Sequence, residues 1–209
     1  MNQSVVEAFA ALDSLYIADG HHRAASAART RRSLAEKGAG EHDRVLAVAF
    51  PDNQMRVLPY NRVVRDLHGL TANEFLGSLK RRLTVTDGGP ATPARKGDVA
   101  MYLGGAWYTL TLPASAHALD VDILESTILE PILGIYDVRT DKRIDFVGGI
   151  RGTSALEQLV TSKSFAVAFS MFPVSVEDLM RVSDAGEIMP PKSTWFEPKL
   201  RDGLLSHLL

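Results

Sequence analysis

Runs rich in β-branched and aromatic residues, each closed by a turn signal, alternate along this chain with segments of helical spacing. "RVLAVAFP" (44–51), "MRVLPYNRVV" (55–64), "RIDFVGGI" (143–150) and "SFAVAFSMFP" (164–173) read as strands, and "DVAMYLGGAWYTLTL" (98–112) as a hairpin turning at Gly104-Gly105. Residues 44–51 read as a central strand buried on both faces, hairpinned to 55–64 across the "PDNQ" turn. Between the strands, "TANEFLGSLKRRL" (71–83) opens with a Thr71/Glu74 capping box and carries Phe75, Leu76, Leu79 and Leu83 at helical intervals. Helices are also predicted over Ser4 to Leu12, His21 to about Lys37, 120–133 broken near Pro131, 153–163 with a second capping box (Ser154, Glu157), and 175–186. A loop is predicted over 86–97, and the Pro-rich tail is predicted to hold no long element. The alternation excludes a helix bundle or a sandwich. It predicts an α/β (α+β mixed) fold: a central mixed sheet with hairpins and flanking helices.

At 209 residues the chain is long enough for a real core without staples, and 1–209 reads as a single domain. With no cysteine, disulfides, thiolate catalysis and Cys-bearing zinc sites are excluded. A net charge of −2 gives no whole-molecule attraction to nucleic acid or anionic lipid. No apolar run reaches membrane-spanning length. The N-terminal stretch lacks a basic region and carries Glu7 and Asp13, so it is not a signal peptide. These features predict a cytoplasmic protein. A strand at Leu15–Ile17, so soon after Met1, predicts that the chain is the C-terminal portion of a longer natural protein.

The chemistry-bearing stretch is "LYIADGHHRAASAARTRRS". A strand ending at Asp19-Gly20 and feeding a helix aims backbone N–H groups at an anion, and the helix dipole adds about half a positive charge there. Arg23 in the first turn opposes the dipole, an arrangement tolerable when something negative binds. Arg29, Arg31 and Arg32 follow on the same segment. Arginine grips phosphate oxygens in a fork, and His21 and His22 can donate to phosphate or take a proton from a hydroxyl. Adjacent histidines point to different sides of a helix, and His42, His68 and His117 show no ligand spacing, so no metal site is predicted. A plain helix start with Asp19 as cap remains open at this point.

"YIADGHHR", followed by "RVLAVAFPDNQMRVLPYNRVV" and closed by "MPPKSTWFEPKL", resembles a prokaryotic family known as domain of unknown function 1015, over essentially the whole chain. The chain resembles that family's C-terminal half. More distantly, a strand, a small turn and "DGHHR" opening a helix, around residues 15–37, is similar to the phosphate-binding element of ParB-like nucleotide-binding folds. That group includes chromosome-partitioning CTPases, sulfiredoxin and a free-serine kinase. The likeness implies that Gly20, His21, His22 and Arg23 cradle phosphate, with Asp19 as a metal-side or hydroxyl-side carboxylate, and that the cofactor is a nucleotide with Mg. The group's acidic catalytic residue lies upstream of the motif, in a part this chain is expected to lack.

Further candidates lie elsewhere. In "MPPKSTWFEPKL", Lys192, Ser193 and Thr194 offer an ammonium and two hydroxyls, without the glycines of a P-loop; Lys192 is expected to meet the same phosphate as Arg23, while Trp195 and Phe196 read as core anchors. Strand alternation puts Arg62 and Val64 on one face and Val63 and Arg65 on the other, so Arg62 could reach an anion on the sheet; surface salt bridges explain these charges equally well. "FVGGIRGTS" lacks dinucleotide-loop spacing and reads as a turn. Asp120, Asp122, Glu125 and Glu130 read as a solvated helix face.

The sequence thus predicts a phosphate- or nucleotide-binding domain of a small-molecule enzyme, kinase-like or phosphotransferase, with His21, His22 and Asp19 as catalytic candidates. Its partner would be a small-molecule phosphate ligand; homo-oligomers fit equally, a membrane does not, and nucleic acid is disfavoured because no aromatics interleave the arginines. A non-catalytic interaction or nucleic-acid-backbone module, and a metal-dependent hydrolase using His21, His22 and Asp19, are the alternatives.

Overall fold

The computed structural model describes residues 2–115, 118–201 and 203, with the side chain of His22 outside the description. His117 lies outside the described residues. The chain divides into two units, Met1–Met55 with Pro198–Leu209, and Arg56–Glu197.

The second unit carries the sheet. Seven strands are β1 (Arg56–Val64), β2 (Thr84–Asp87), β3 (Asp98–Leu103), β4 (Ala106–Thr111), β5 (Ile144–Gly148), β6 (Val167–Met171) and β7 (Thr194–Glu197). Their order is β2-β4-β3-β6-β1-β5, with β7 paired to the first half of β1. The strands pair antiparallel throughout, which makes the mixed α/β fold of the α+β kind. The predicted hairpin forms around Gly104-Gly105, with Tyr102 opposite Trp107. Two short strands escaped the sequence pattern. β2 hides in "TVTD" ahead of a glycine-rich loop, and β7 sits in the Pro-rich tail.

Alternation along the strands builds two apolar layers. On one face Val64, Met101 and Phe169 pack with Phe75 and Leu79 of α3 (Ala72–Lys80) and with Leu124 of α4 (Asp120–Leu124). On the other, Val63 and Ala168 pack with Leu156 of α5 (Ser154–Thr161). The nine residues named in these two layers as strand or helix anchors, from Val63 to Phe169, are almost wholly withdrawn from water, and such burial contributes roughly 25 cal/mol per Å² of apolar surface. A further helix, α6 (Val176–Asp184), starts from Ser175, whose hydroxyl accepts from the Asp178 N–H.

The capping box predicted at Thr71 forms: its hydroxyl accepts from the Glu74 N–H at 3.3 Å, and the Glu74 carboxylate accepts from the Thr71 N–H at 2.8 Å. Replacing Thr71 by alanine should cost about 1 kcal/mol of unfolding free energy, measurable by urea titration. The second box does not form. No side chain caps α5, whose N-cap is Thr153 rather than Ser154, and the Glu157 carboxylate accepts instead from the Trp107 indole N–H at 2.7 Å. The acidic segment is also a correction. It is α-helical only to Leu124 and continues as a π-type turn over Glu125–Leu129, with Asp120 buried and Asp122 and Glu125 half-buried rather than solvated.

The first unit holds two helices, α1 (Gln3–Ala10) and α2 (His21–Ser33), and no buried residue among those described. α2 stops at Ser33, four residues earlier than predicted, and a 3₁₀ turn over Ala35–Lys37 follows. The strands predicted at Leu15–Ile17 and 44–51 are absent, and with the second goes its hairpin to β1. Strand pairing needs a neighbour to take the backbone N–H and C=O groups, and the described residues of this unit contain no strand. Val45, Leu46 and Val48 are exposed instead.

Candidate functional site

In the first unit the candidate is the turn that starts α2. Gly20 stands at φ +88°, a left-handed conformation that glycine adopts freely. Among the described residues no side chain caps the helix after it, which leaves the leading N–H groups of α2 without a side-chain acceptor there. A Cβ on Gly20 would lie 2.9 Å from Arg23 Nη2, so glycine also makes the seat for that guanidinium. Asp19 is held by Lys199, Nζ to Oδ2 at 2.9 Å. That hydrogen bond, aided by the charges of Lys199 and Arg23 and by the Gly20 N–H, lowers the Asp19 pKa despite partial burial. Both side chains of the pair are about half exposed, so it adds little to stability. Its electrostatic effect is larger: Asp19 is neutralised by Lys199, leaving Arg23 and the helix dipole as net positive potential.

Lys199 is a residue sequence reasoning missed, although it lies inside "MPPKSTWFEPKL". The two end motifs do meet in this unit, through Asp19 and Lys199. Asp19 is therefore engaged before any metal arrives. Among the described residues no group of three or more His, Asp or Glu side chains could hold a metal ion, so these residues by themselves do not form a Mg²⁺ cage.

In the second unit a distinct polar region forms along β1 and β5. Arg62 is 4% exposed and lies opposite Phe146 in the sheet register. Its guanidinium sits over the Phe146 ring, 5.6 Å from the centroid, and donates to the Tyr60 carbonyl. Burial pushes its pKa down to about 10, against the opposing charges of Glu125 and Asp122. Those two carboxylates are raised, each mainly by desolvation, and Glu125 further by Asp122. The surface salt bridge entertained for Arg62 is thus replaced by an interior charge balanced across space. Asp122 and Glu125, read from the sequence as part of a solvated helix face, are instead the half-buried carboxylates whose charge acts on Arg62.

Beside this cluster is a cavity of about 340 Å³ between residues 138–146 and Pro191–Lys192. Lys192 has φ +53° and places Nζ 5.4 Å from the Tyr60 ring centroid. Ser193 is buried and its hydroxyl donates to the Pro190 carbonyl, while Thr194 pairs with Pro59 at the start of β7. Trp195 stacks edge-on against Tyr60, and Phe196 is buried, as expected of anchors. Gly148 exists to admit Trp195: a Cβ there would meet its ring at 2.7 Å.

A sequence model of the family described as "Protein of unknown function (DUF1015)" matches residues 1–137, a span that includes the DGHHR turn and α4. The chain belongs to the DUF1015 family. The closing motif at 189–200 lies beyond the matched residues. No curated protein sequence matches the chain. Among solved structures, a conserved hypothetical protein from Pyrococcus furiosus is similar with a TM-score of 0.50 at 19% identity, covering 89% of this chain and 71% of that one. Free serine kinase in complex with AMP gives 0.50 at 16% identity, covering 89% and 68%. A point variant of that kinase, also with AMP, gives 0.50 at 18% identity, covering 89% and 69%. At these identities the likeness is one of fold. Among the described residues of this DUF1015 member, no helix is long and apolar enough to cross a membrane.

Proposed function

We propose that this chain is the nucleotide-phosphate-binding portion of a small-molecule phosphotransferase, with the phosphate received at the start of α2. The observation that carries the reading is the uncapped, left-handed Gly20 turn with the Arg23 guanidinium seated over it and Asp19 already neutralised by Lys199. Backbone N–H groups from His21 onward and the Arg23 fork supply donors to phosphate oxygens. His21 or His22 carries the proton of the acceptor hydroxyl. The fold likeness to AMP-bound kinases supports a nucleotide as the phosphate bearer. Mg²⁺, where it takes part, arrives on the nucleotide phosphates.

Calorimetry of the full chain with AMP, ADP, ATP and inorganic phosphate tests this. Binding of at least one nucleotide is expected, weakened about tenfold or more (about 1.4 kcal/mol) by Arg23→Ala. Lys199→Ala should also weaken it, by freeing the Asp19 charge to repel phosphate. Nucleotide affinity unchanged by both substitutions, or no binding at all, would sink the reading.

A further inference from the structure

We propose that the cavity between residues 138–146 and Pro191–Lys192 binds a small organic anion, a monocarboxylate with an apolar body, and that the Lys192 ammonium is the contact for the carboxylate. The inference rests on the second unit alone and is independent of phosphate binding at α2.

The strand register decides the sign of the site. Tyr60 stands opposite Gly148, Arg62 opposite Phe146 and Val64 opposite Ile144, so these positions share one face of the sheet. Asp145 stands opposite Val63, and its carboxylate belongs to the other face. Ile144 and Phe146 line the cavity, and Lys192, also in its lining, holds Nζ 5.4 Å from the Tyr60 ring centroid. The ammonium therefore stands on the face that Ile144 and Phe146 present. Arg62 follows Tyr60 on that face, its Cζ 5.6 Å from the centroid of the Phe146 wall and its Nη1 donating to the Tyr60 carbonyl.

Apart from Asp145, the other charged liners are committed. Arg139 bonds the Asp137 carboxylate through Nε and Nη2, at 3.0 and 3.4 Å. Arg143 grips both oxygens of Asp141, at 3.2 and 2.8 Å. Lys192 and Arg62 form no ion pair with any described residue. Arg62 is only 4% exposed and gives hydrogen bonds to the Tyr60 carbonyl alone among the described residues, a costly arrangement for a buried cation. Asp122 and Glu125 act on Arg62 across space, and neither lines the cavity.

That inventory discriminates among ligands. Two unpaired cations and no open carboxylate on this face favour an anion. An amine or a zwitterion would bring an ammonium with no carboxylate to receive it. Val138, Ile144, Phe146 and Pro191 make the rest of the wall apolar, which suits a hydrocarbon body and not a fully hydrated inorganic phosphate. The cavity volume of about 340 Å³ falls at the small end of the ligand-pocket range. Lys192 has φ +53°, a left-handed conformation that a lysine rarely adopts. The Ser193 hydroxyl on the Pro190 carbonyl and the pairing of Thr194 with Pro59 fix the backbone around it.

The test is amide chemical-shift mapping of the isotopically labelled full chain. Butyrate is the probe; n-butylamine and n-butanol carry the same body without the negative charge, and inorganic phosphate carries the charge without the body. Butyrate should shift amides of residues 138–146 and 192–193, with an affinity at least about tenfold above those of the three controls. Lys192→Met should lower butyrate affinity about tenfold or more, and Lys192→Arg should keep most of it. Asp145→Asn should leave it unchanged, because that carboxylate belongs to the other face. Lys192 and Asp145 are exposed, so the variants should keep the thermal midpoint of the parent, measured on each. No butyrate-induced shifts at these residues, equal binding of the amine or phosphate, or an affinity unmoved by Lys192→Met would overturn the proposal.

Discussion

Cutting Phe169 back to alanine is expected to lower the unfolding free energy of the sheet unit by about 4 kcal/mol. Phe169 is fully buried in β6, flanked by Arg62 on β1 and Met101 on β3. Its ring enters the larger apolar layer, where α3 and α4 close over it, and neighbouring strands on both sides prevent the backbone from collapsing into the space. A void there loses both transfer energy and dispersion contacts. Phe165 offers the internal comparison. It lies near the end of α5 under the Arg65 guanidinium, 4.7 Å from centroid to Cζ, and retains some exposure. Phe165→Ala should cost clearly less, because solvent and the exposed arginine can fill part of the gap. Urea unfolding followed by tryptophan fluorescence measures both. Equal losses, or a Phe169→Ala loss below about 2 kcal/mol, would mean the sheet relaxes more than its pairing implies.

Much of this core was legible because strand alternation and helical spacing are local signals. Val63 and Val64, one residue apart, go to opposite layers as period two requires, and Phe75 and Leu79 are one helical turn apart. What was not legible depended on partners far along the chain. Residues 44–51 have a sequence as strand-like as β6, yet a strand exists only where another strand pairs with it, and none of the described residues does so. Glu157 fits a capping box by spacing, but Trp107, fifty residues earlier, presents a donor that its carboxylate bonds instead. The site divided in the same way. Gly20 and Arg23 could be read from the turn itself, whereas Lys199 on Asp19 and the carboxylates facing Arg62 arise from tertiary neighbours. Ser193 looked like a phosphate hydroxyl beside Lys192; folding directs it inward to a carbonyl.

Arg62→Ala should destabilise the same unit by about 3 kcal/mol near neutral pH, and by much less in mild acid. The physical reason is the pair of half-buried carboxylates that Arg62 offsets. Burial raises the pKa of Asp122 and of Glu125 even with the guanidinium present. A carboxylate raised in the folded state favours folding while protonated, below its unfolded value of about 4, and that contribution is lost as pH rises through the folded value. Removing Arg62 takes away an attraction that acts only on the ionised forms. The folded values then rise further, and the added penalty accumulates above about pH 4. Near that pH only the lost packing on Phe146 and the Tyr60 carbonyl bond should remain. Arg62→Met, which keeps most of the volume, should recover the packing part at every pH and leave the pH-dependent part intact. Conversely, Glu125→Gln in the wild-type background should raise stability at neutral pH and change little in mild acid. Urea titrations of the four proteins between about pH 4 and pH 8 separate these contributions. A penalty for Arg62→Ala that stays constant across that range would show that Arg62 holds β1 to Phe146 by packing alone, and that Asp122 and Glu125 are too well solvated to sense its charge.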